Sequence, residues 1–175
     1  MKKRIIFLIL IFAGIFFGRG FLYRTFFSYE TIRERQIYPF ENENFKNDKP
    51  DRDIEEIIEG GLKHTSSLLT FSFGPCENDP NLLLRAKKAN CIGYSALLAA
   101  LIQAELRKDK LDKEWEVSHE VGEIYFLNKN INQYFTSKFF KDHDFVVVKN
   151  KETKERIAID AALYDYFRIN KITLK

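Results

Sequence analysis

The chain of 175 residues has room for one catalytic-size domain once its ends are set aside, and its 45% apolar content suits a packed core rather than a disordered polymer. Its 28 basic and 25 acidic residues leave a formal charge of +3, part of it in Lys2, Lys3 and Arg4, so the body is near neutral and nothing argues for a nucleic-acid partner. Two cysteines, Cys76 and Cys91, are too few for a disulfide scaffold and lack the paired spacing of a zinc site.

The run from Ile5 to Gly18, IIFLILIFAGIFFG, is uncharged and apolar, preceded by three positive charges and ended by Arg19. It reads as an export signal, in the length range of a signal-peptide core and below the roughly 20 residues of a comfortable membrane span. Counted on through Phe21-Leu22-Tyr23, with Arg19 snorkelling, it serves as an uncleaved anchor. Residues 1–24 are therefore expected to be a signal-anchor or a signal peptide. The positive cluster stays inside and orients the rest outward. The expected location is the cell membrane, single-pass with the domain outside the cytoplasm, or, after cleavage, the secreted or periplasmic space.

Residues 25–53 read as a linker, on the strength of the polar stretch ENENFKNDKPDRD. Ile54, Ile57, Ile58 and Leu62 then recur at helical spacing, with Asp53 placed to cap and Glu55 and Glu56 in the first turn. Asp79-Pro80 opens a second short helix, NLLLRAKK. Asn90 is a good cap for the next, and the run from Ile92 to Ile102 is apolar or small on nearly every side, which makes a central buried helix. Beyond Lys113 the pattern turns β-rich: WEVSHEVGEIYFL as two short runs around Gly122, then HDFVVVKN and KERIAID. Helices followed by strands predict an α+β domain with a helix packed on an antiparallel sheet.

Cys91 follows its cap directly, and a thiolate at a helix N-terminus is favoured by unpaired N–H groups and the macrodipole. Taken alone it is equally a small hydrophobe of a core helix. The strands after it add a base. A tight turn at Lys151-Glu152 sets Asn150 opposite Thr153 and, seven residues further on each side, His143 opposite Asp160. Opposed residues share a sheet face with Cβ atoms roughly 4.5–5.5 Å apart, within reach of a carboxylate–imidazole bond. The register holds for an even-length turn and breaks for an odd one. A carboxylate on one ring nitrogen leaves the other free to take a thiol proton. Asp142, Asp144 and Asp165 are rival acids, Asp144 pointing to the opposite face from His143. His119 and His64 find no acid by a derivable register and read as structural or solvated.

CIGYSALLAALIQ, HDFVVVKN and KERIAIDAAL together resemble the transglutaminase-like superfamily. There a cysteine starts the core helix with an aromatic three positions on, a histidine opens a strand, and an aspartate closes its neighbour. Cys91, Tyr94, His143 and Asp160 stand at those positions, and the resemblance covers Ile54 to Leu163, within a domain set at 54–175. It implies a papain-like, transglutaminase-like core acting on peptide or protein amide bonds, by hydrolysis or acyl transfer, without metal or organic cofactor. Ala89 replaces a common glycine, Phe145 a frequent tryptophan, Ala161 the usual proline, and Arg85 sits where a papain-type enzyme carries glutamine. The Cys91 N–H is the expected oxyanion donor, with Ser66, Ser67 and Thr70 as weak candidates for a second.

Three other readings stay open from sequence. A Cys76–Cys91 disulfide, closing a loop of about 15 residues, would contribute on the order of 3 kcal/mol and make the domain structural. A silent relative would use the same cleft as a membrane-anchored peptide-binding module. A peptidoglycan-cleaving cysteine peptidase of another family also starts a helix with cysteine, without needing the His143–Asp160 arrangement.

Overall fold

Among the described residues, each α-helix that follows the N-terminal one starts on a side chain that accepts from one of its orphan N–H groups. In a computed structural model that describes residues 2–41 and 51–175, with the side chains of Phe7 and of 13–41 and 51–175, Asp53 accepts from the Glu56 N–H at 2.8 Å, Asp79 from Asn81 at 2.8 Å and Asn90 from Ile92 at 2.9 Å. A fourth cap, Asp160 on the Leu163 N–H at 3.0 Å, starts a helix that sequence periodicity does not announce. In chain order the elements are α1 (Lys2–Phe26), β1 (Phe27–Arg35), α2 (Ile54–Leu68), β2 (Thr70–Phe71), α3 (Pro80–Ala86), β3 (Lys88–Ala89) and α4 (Cys91–Lys108). Then come β4 (Trp115–Phe126), β5 (Lys129–Asn130), β6 (His143–Asn150), β7 (Arg156–Ile159) and α5 (Ala161–Phe167).

The fold is mixed α+β. An antiparallel sheet runs in the order β1-β4-β6-β7, with β5 as a short addition to β4 and β2 paired with β3 in a separate parallel ribbon. Residues 172–175 link its two edges: Ile172 bridges to Ala158 on β7, and Leu174 to Tyr29 on β1. β6 is buried on both faces, which is why FVVVK carries no polar alternation. Val146 and Val148 pack with Ile157 and Ile159 against α4, whose other side meets α2 and α5. Phe145 and Val147 form a second, smaller core with Tyr29, Ala158 and Ile172.

Three expectations change. Phe27–Arg35, assigned to the linker, is a nine-residue strand along the whole outer half of β4; the expected linker residues 42–50 lie outside the described residues. Trp115–Phe126 is one strand rather than two. Gly122 is no turn: a Cβ there would sit 2.4 Å from the Glu30 carbonyl oxygen and 2.8 Å from the Phe145 ring, so the glycine lets β1 approach beside its bulge at Thr31–Arg33. The β6–β7 register is two residues out, with Lys149 opposite Arg156 and Val146 opposite Ile159. Asn150 causes the shift. Its side chain accepts from the N–H groups of Glu152 and Thr153 at 2.9 Å while its own N–H reaches Glu155, building a longer turn that Lys154 finishes at φ 64°.

The apolar run 5–18 belongs to α1, but most of its side chains lie outside the described residues. Among the described residues no helix is long and apolar enough to cross a membrane. The last turns of α1 touch the body, where Arg19 Nε donates to the Phe167 carbonyl at 2.5 Å and Thr173 Oγ1 to that of Arg24 at 2.9 Å.

Candidate active site

Asn90 organises the start of α4. Its Oδ1 caps Ile92 and also accepts from the Cys76 thiol at 2.9 Å, while its Nδ2 donates to the Gly74 carbonyl at 3.1 Å. The 73–76 segment is thereby held over the first helical turn, and Gly93 admits it: a Cβ there would fall 2.6 Å from Ala89 Cβ, 2.8 Å from Leu83 and 3.3 Å from the Cys76 sulfur. Both cysteines are free, so the disulfide reading has no support. Burial pushes the Cys76 thiol up, against the hydrogen bonds that Asn90 and Gly93 offer it, and it serves as a proton donor to the cap.

Cys91 is the first residue of α4 and 7% exposed. Its N–H has no partner within the helix. Its thiol and the His143 ring line the same cavity, and the thiol acts on the charge of that ring. Nε2 of the ring lies 2.7 Å from Asp160 Oδ2, which leaves Nδ1 as the nitrogen not bound to the carboxylate. The pairing expected from a tight turn is thus present, by another route. A two-residue slip preserves the sheet face, so His143 and Asp160 meet diagonally, with Asp160 just past the end of β7.

Asp160 is 2% exposed and its oxygens are occupied. Oδ1 caps α5 through Leu163, and Oδ2 accepts from His143 and, at 3.2 Å, from the Tyr29 hydroxyl. Burial alone would raise this carboxyl, yet the His143 charge and these hydrogen bonds hold it below the usual carboxylate range. For His143 burial disfavours the charged ring, and the Asp160 charge and hydrogen bond, followed by Cys91, overcome it and hold the ring well above the ordinary histidine value. Tyr29 is buried, which pushes its phenol up with the help of the Asp160 charge, so it stays a donor; Tyr23 meets it at 2.6 Å. The Tyr29 ring also stands edge-on to His143, with centroids 5.9 Å apart. Sequence reasoning missed Tyr29 by placing it in the linker; the apolar–polar alternation of Phe27-Ser28-Tyr29-Glu30 was the available signal.

The remaining candidates go elsewhere. Asp142 pairs with Arg33 at 2.7 Å, and Asp165 accepts from the Tyr94 hydroxyl at 2.8 Å, so Tyr94 ties α4 to α5 rather than reaching the thiol. Asp144, on the opposite face, is bound by His119 Nε2 at 2.9 Å and Arg35 Nε at 2.5 Å. His119 therefore does have an acid, supplied by the β4–β6 register. Its Nδ1 is buried without a hydrogen-bond partner among the described residues. Ser66 and Ser67 bond back to their own helix, and Arg85 lines a separate surface cavity with Glu41 and Asn81.

Cys91, His143 and Asp160 share the wall of a cavity of about 540 Å³. Nine of its eighteen lining residues are aromatic, including Phe71 from β2, Phe73, Phe139 and Phe140 from the connections, Tyr166 and Phe167 from the end of α5, and Tyr23 from α1. The geometry places a thiol, an imidazole and a carboxylate on one wall of an apolar chamber. No cluster of three or more potential metal ligands occurs among the described residues. Comparison of the chain with protein-family models, curated proteins and solved structures finds no match.

Proposed function

We propose that the chain is a cysteine-dependent amide hydrolase or acyl transferase with a transglutaminase-like, papain-like core, using Cys91, His143 and Asp160. One observation carries the reading: the Asp160 carboxylate holds one nitrogen of His143 at 2.7 Å, and the same ring shares a cavity wall with the thiol of the first residue of a long helix, which acts on its charge. His143 takes the Cys91 proton through Nδ1 while Nε2–H stays bonded to Asp160, which fixes the tautomer and stabilises the imidazolium. The thiolate adds to an amide carbonyl, and the Cys91 N–H at the helix start offers a hydrogen bond to the developing oxyanion. His143 returns its proton to the departing amine as the C–N bond breaks, leaving a thioester. Water or a second amine then releases the acyl group. These steps call on the three side chains and the incoming nucleophile alone.

The same proposal sets the domain outside the cytoplasm, tethered by the segment 1–24 or released after its cleavage. Lys2, Lys3 and Arg4 ahead of the apolar run support this orientation. Protease added to sealed cells should degrade the domain, and protection until lysis would overturn the location.

A thiol-directed amide mimic tests the catalytic reading. It should label the wild type at Cys91 and fail to label Cys91→Ala and His143→Ala. Labelling that survives both changes rejects the triad. A folded wild type that never labels would instead favour the silent peptide-binding module.

A further inference from the structure

We infer that the cavity beside Cys91 takes the hydrocarbon chain of a long-chain acyl amide, so that the acyl group passed to the thiol is a fatty one. The inference rests on the proposed amide chemistry and names the substrate class for it. Its basis is what the chamber lacks as much as its size. A volume of about 540 Å³ falls among small-molecule sites, and apart from the triad its walls are chiefly Phe71, Phe73, Phe135, Phe139, Phe140 and Phe167. A peptide laid through it would bring an N–H and a C=O per residue and find Asn132, Asp142 and the hydroxyls of Tyr23, Tyr29 and Tyr166 as side-chain partners. Asn132 is already bonded to Ile124 N–H and the Phe140 carbonyl, Asp142 to Arg33, Tyr29 to Asp160 and Tyr23 to Tyr29, which leaves the exposed Tyr166 at the rim. Buried peptide groups left without partners are disfavoured, whereas a hydrocarbon chain brings none. Aromatic walls also meet each other edge-on, as Phe71 and Phe73 do with centroids 5.3 Å apart, and leave slots between rings that suit a slender chain.

The surroundings agree. Phe73 is 71% exposed and Phe167 60%, which leaves an apolar rim. Tyr23, three residues before the end of α1, forms part of the wall, so the helix that continues the apolar N-terminal segment borders the chamber. In the reaction, the Cys91 sulfur bonds to the acyl carbon, the amide C–N bond breaks, and the proton taken by His143 leaves on the amine. Water completes the turnover as free fatty acid.

The experiment is a chain-length series of acyl amides of 7-amino-4-methylcoumarin, from acetyl to dodecanoyl, kept below micelle-forming concentrations, beside a polar tetrapeptide amide of the same dye. For wild-type protein, kcat/KM should rise by up to about fourfold for each methylene that enters the chamber and level off once it is full. Equal rates for acetyl and dodecanoyl, or faster cleavage of the tetrapeptide, would overturn the inference and leave the catalytic triad standing. A second arm titrates dodecanoic acid into Cys91→Ala and wild-type protein by calorimetry. Binding is expected in both, and its absence in both would overturn the inference. Binding without cleavage of any amide would keep the occupant and remove the proposed chemistry.

Discussion

His143 and Asp144 are neighbours in sequence on opposite faces of β6, and each belongs to a histidine–carboxylate pair, one at the cavity and one in the core. The pairs are alike in distance, 2.7 and 2.9 Å, and differ in what completes them. Asp160 is otherwise bonded to neutral donors, the Tyr29 hydroxyl and the Leu163 N–H, so its full charge acts on His143. Asp144 already faces the Arg35 guanidinium, and both partners hold its carboxyl below the usual range although burial would raise it. The His143 ring shares its cavity wall with a thiol, whereas the far nitrogen of His119 meets none of the described polar groups. Under the proposed chemistry, a histidine and a carboxylate act as a base only where no second cation shares the carboxylate and the ring has something to deprotonate. The second pair reads instead as a clamp joining the end of β1 to β4 and β6.

The sharpest way to break the contrast is to delete each histidine. His143→Ala should lower amide turnover by about ten-thousand-fold at unchanged fold, while His119→Ala should leave the rate per folded molecule within a few-fold; comparable losses in stopped-flow acylation would erase the distinction. Next in size is Asp144→Ala, expected to cost about 3 kcal/mol of stability in urea unfolding. That is the lower end for a broken buried pair, because the Arg35 side chain is 26% exposed and can reach water.

Asp160→Asn sharpens the difference through pH. The raised His143 contributes stability in full below about pH 6.5 and loses it as pH climbs through its folded value; the depressed Asp160 contributes in full above about pH 3.9 and loses it as pH falls through its own. The stability gap between wild type and Asp160→Asn should therefore be widest between those limits and narrow on both sides. The His143 ring signal should titrate at lower pH in the variant, since burial is then opposed by less. A flat gap across pH 3 to 9 would show that the pair is not coupled. Smallest is Tyr29→Phe, which removes one donor from Asp160 and should cost about 1 kcal/mol, a few-fold in rate; an unchanged rate would assign Tyr29 to packing alone.

What the sequence made legible was local. Asp53, Asp79 and Asn90 cap within three residues of themselves, and α4 announces itself by its apolar girth, so the nucleophile position followed from nearest neighbours. The His143–Asp160 pair survived a wrong turn because an even slip keeps side chains on their face. What stayed hidden was decided at long range. FSYETIRER is half polar, as an edge strand is, and resembles a linker until β4 pairs with it. The His119–Asp144 clamp required the β4–β6 register, which no short turn dictates. The aromatic chamber draws on loops whose positions are a matter of packing.

The bridging of β1 by residues 172–175 has a consequence for the order of assembly. Tyr29 precedes α2 to α5 in sequence, yet its N–H and C=O bond to Thr173 and Lys175, and its hydroxyl to a residue 131 positions away. The helical layer of α2, α3 and α4 closes through nearer contacts and is free to form first, whereas β1 has to idle until residues 172–175 are in place. Under the proposed chemistry the helix that carries the thiol can form before the Tyr29 buttress of Asp160 does, so a chain whose sheet is still open would hold an unarmed cysteine.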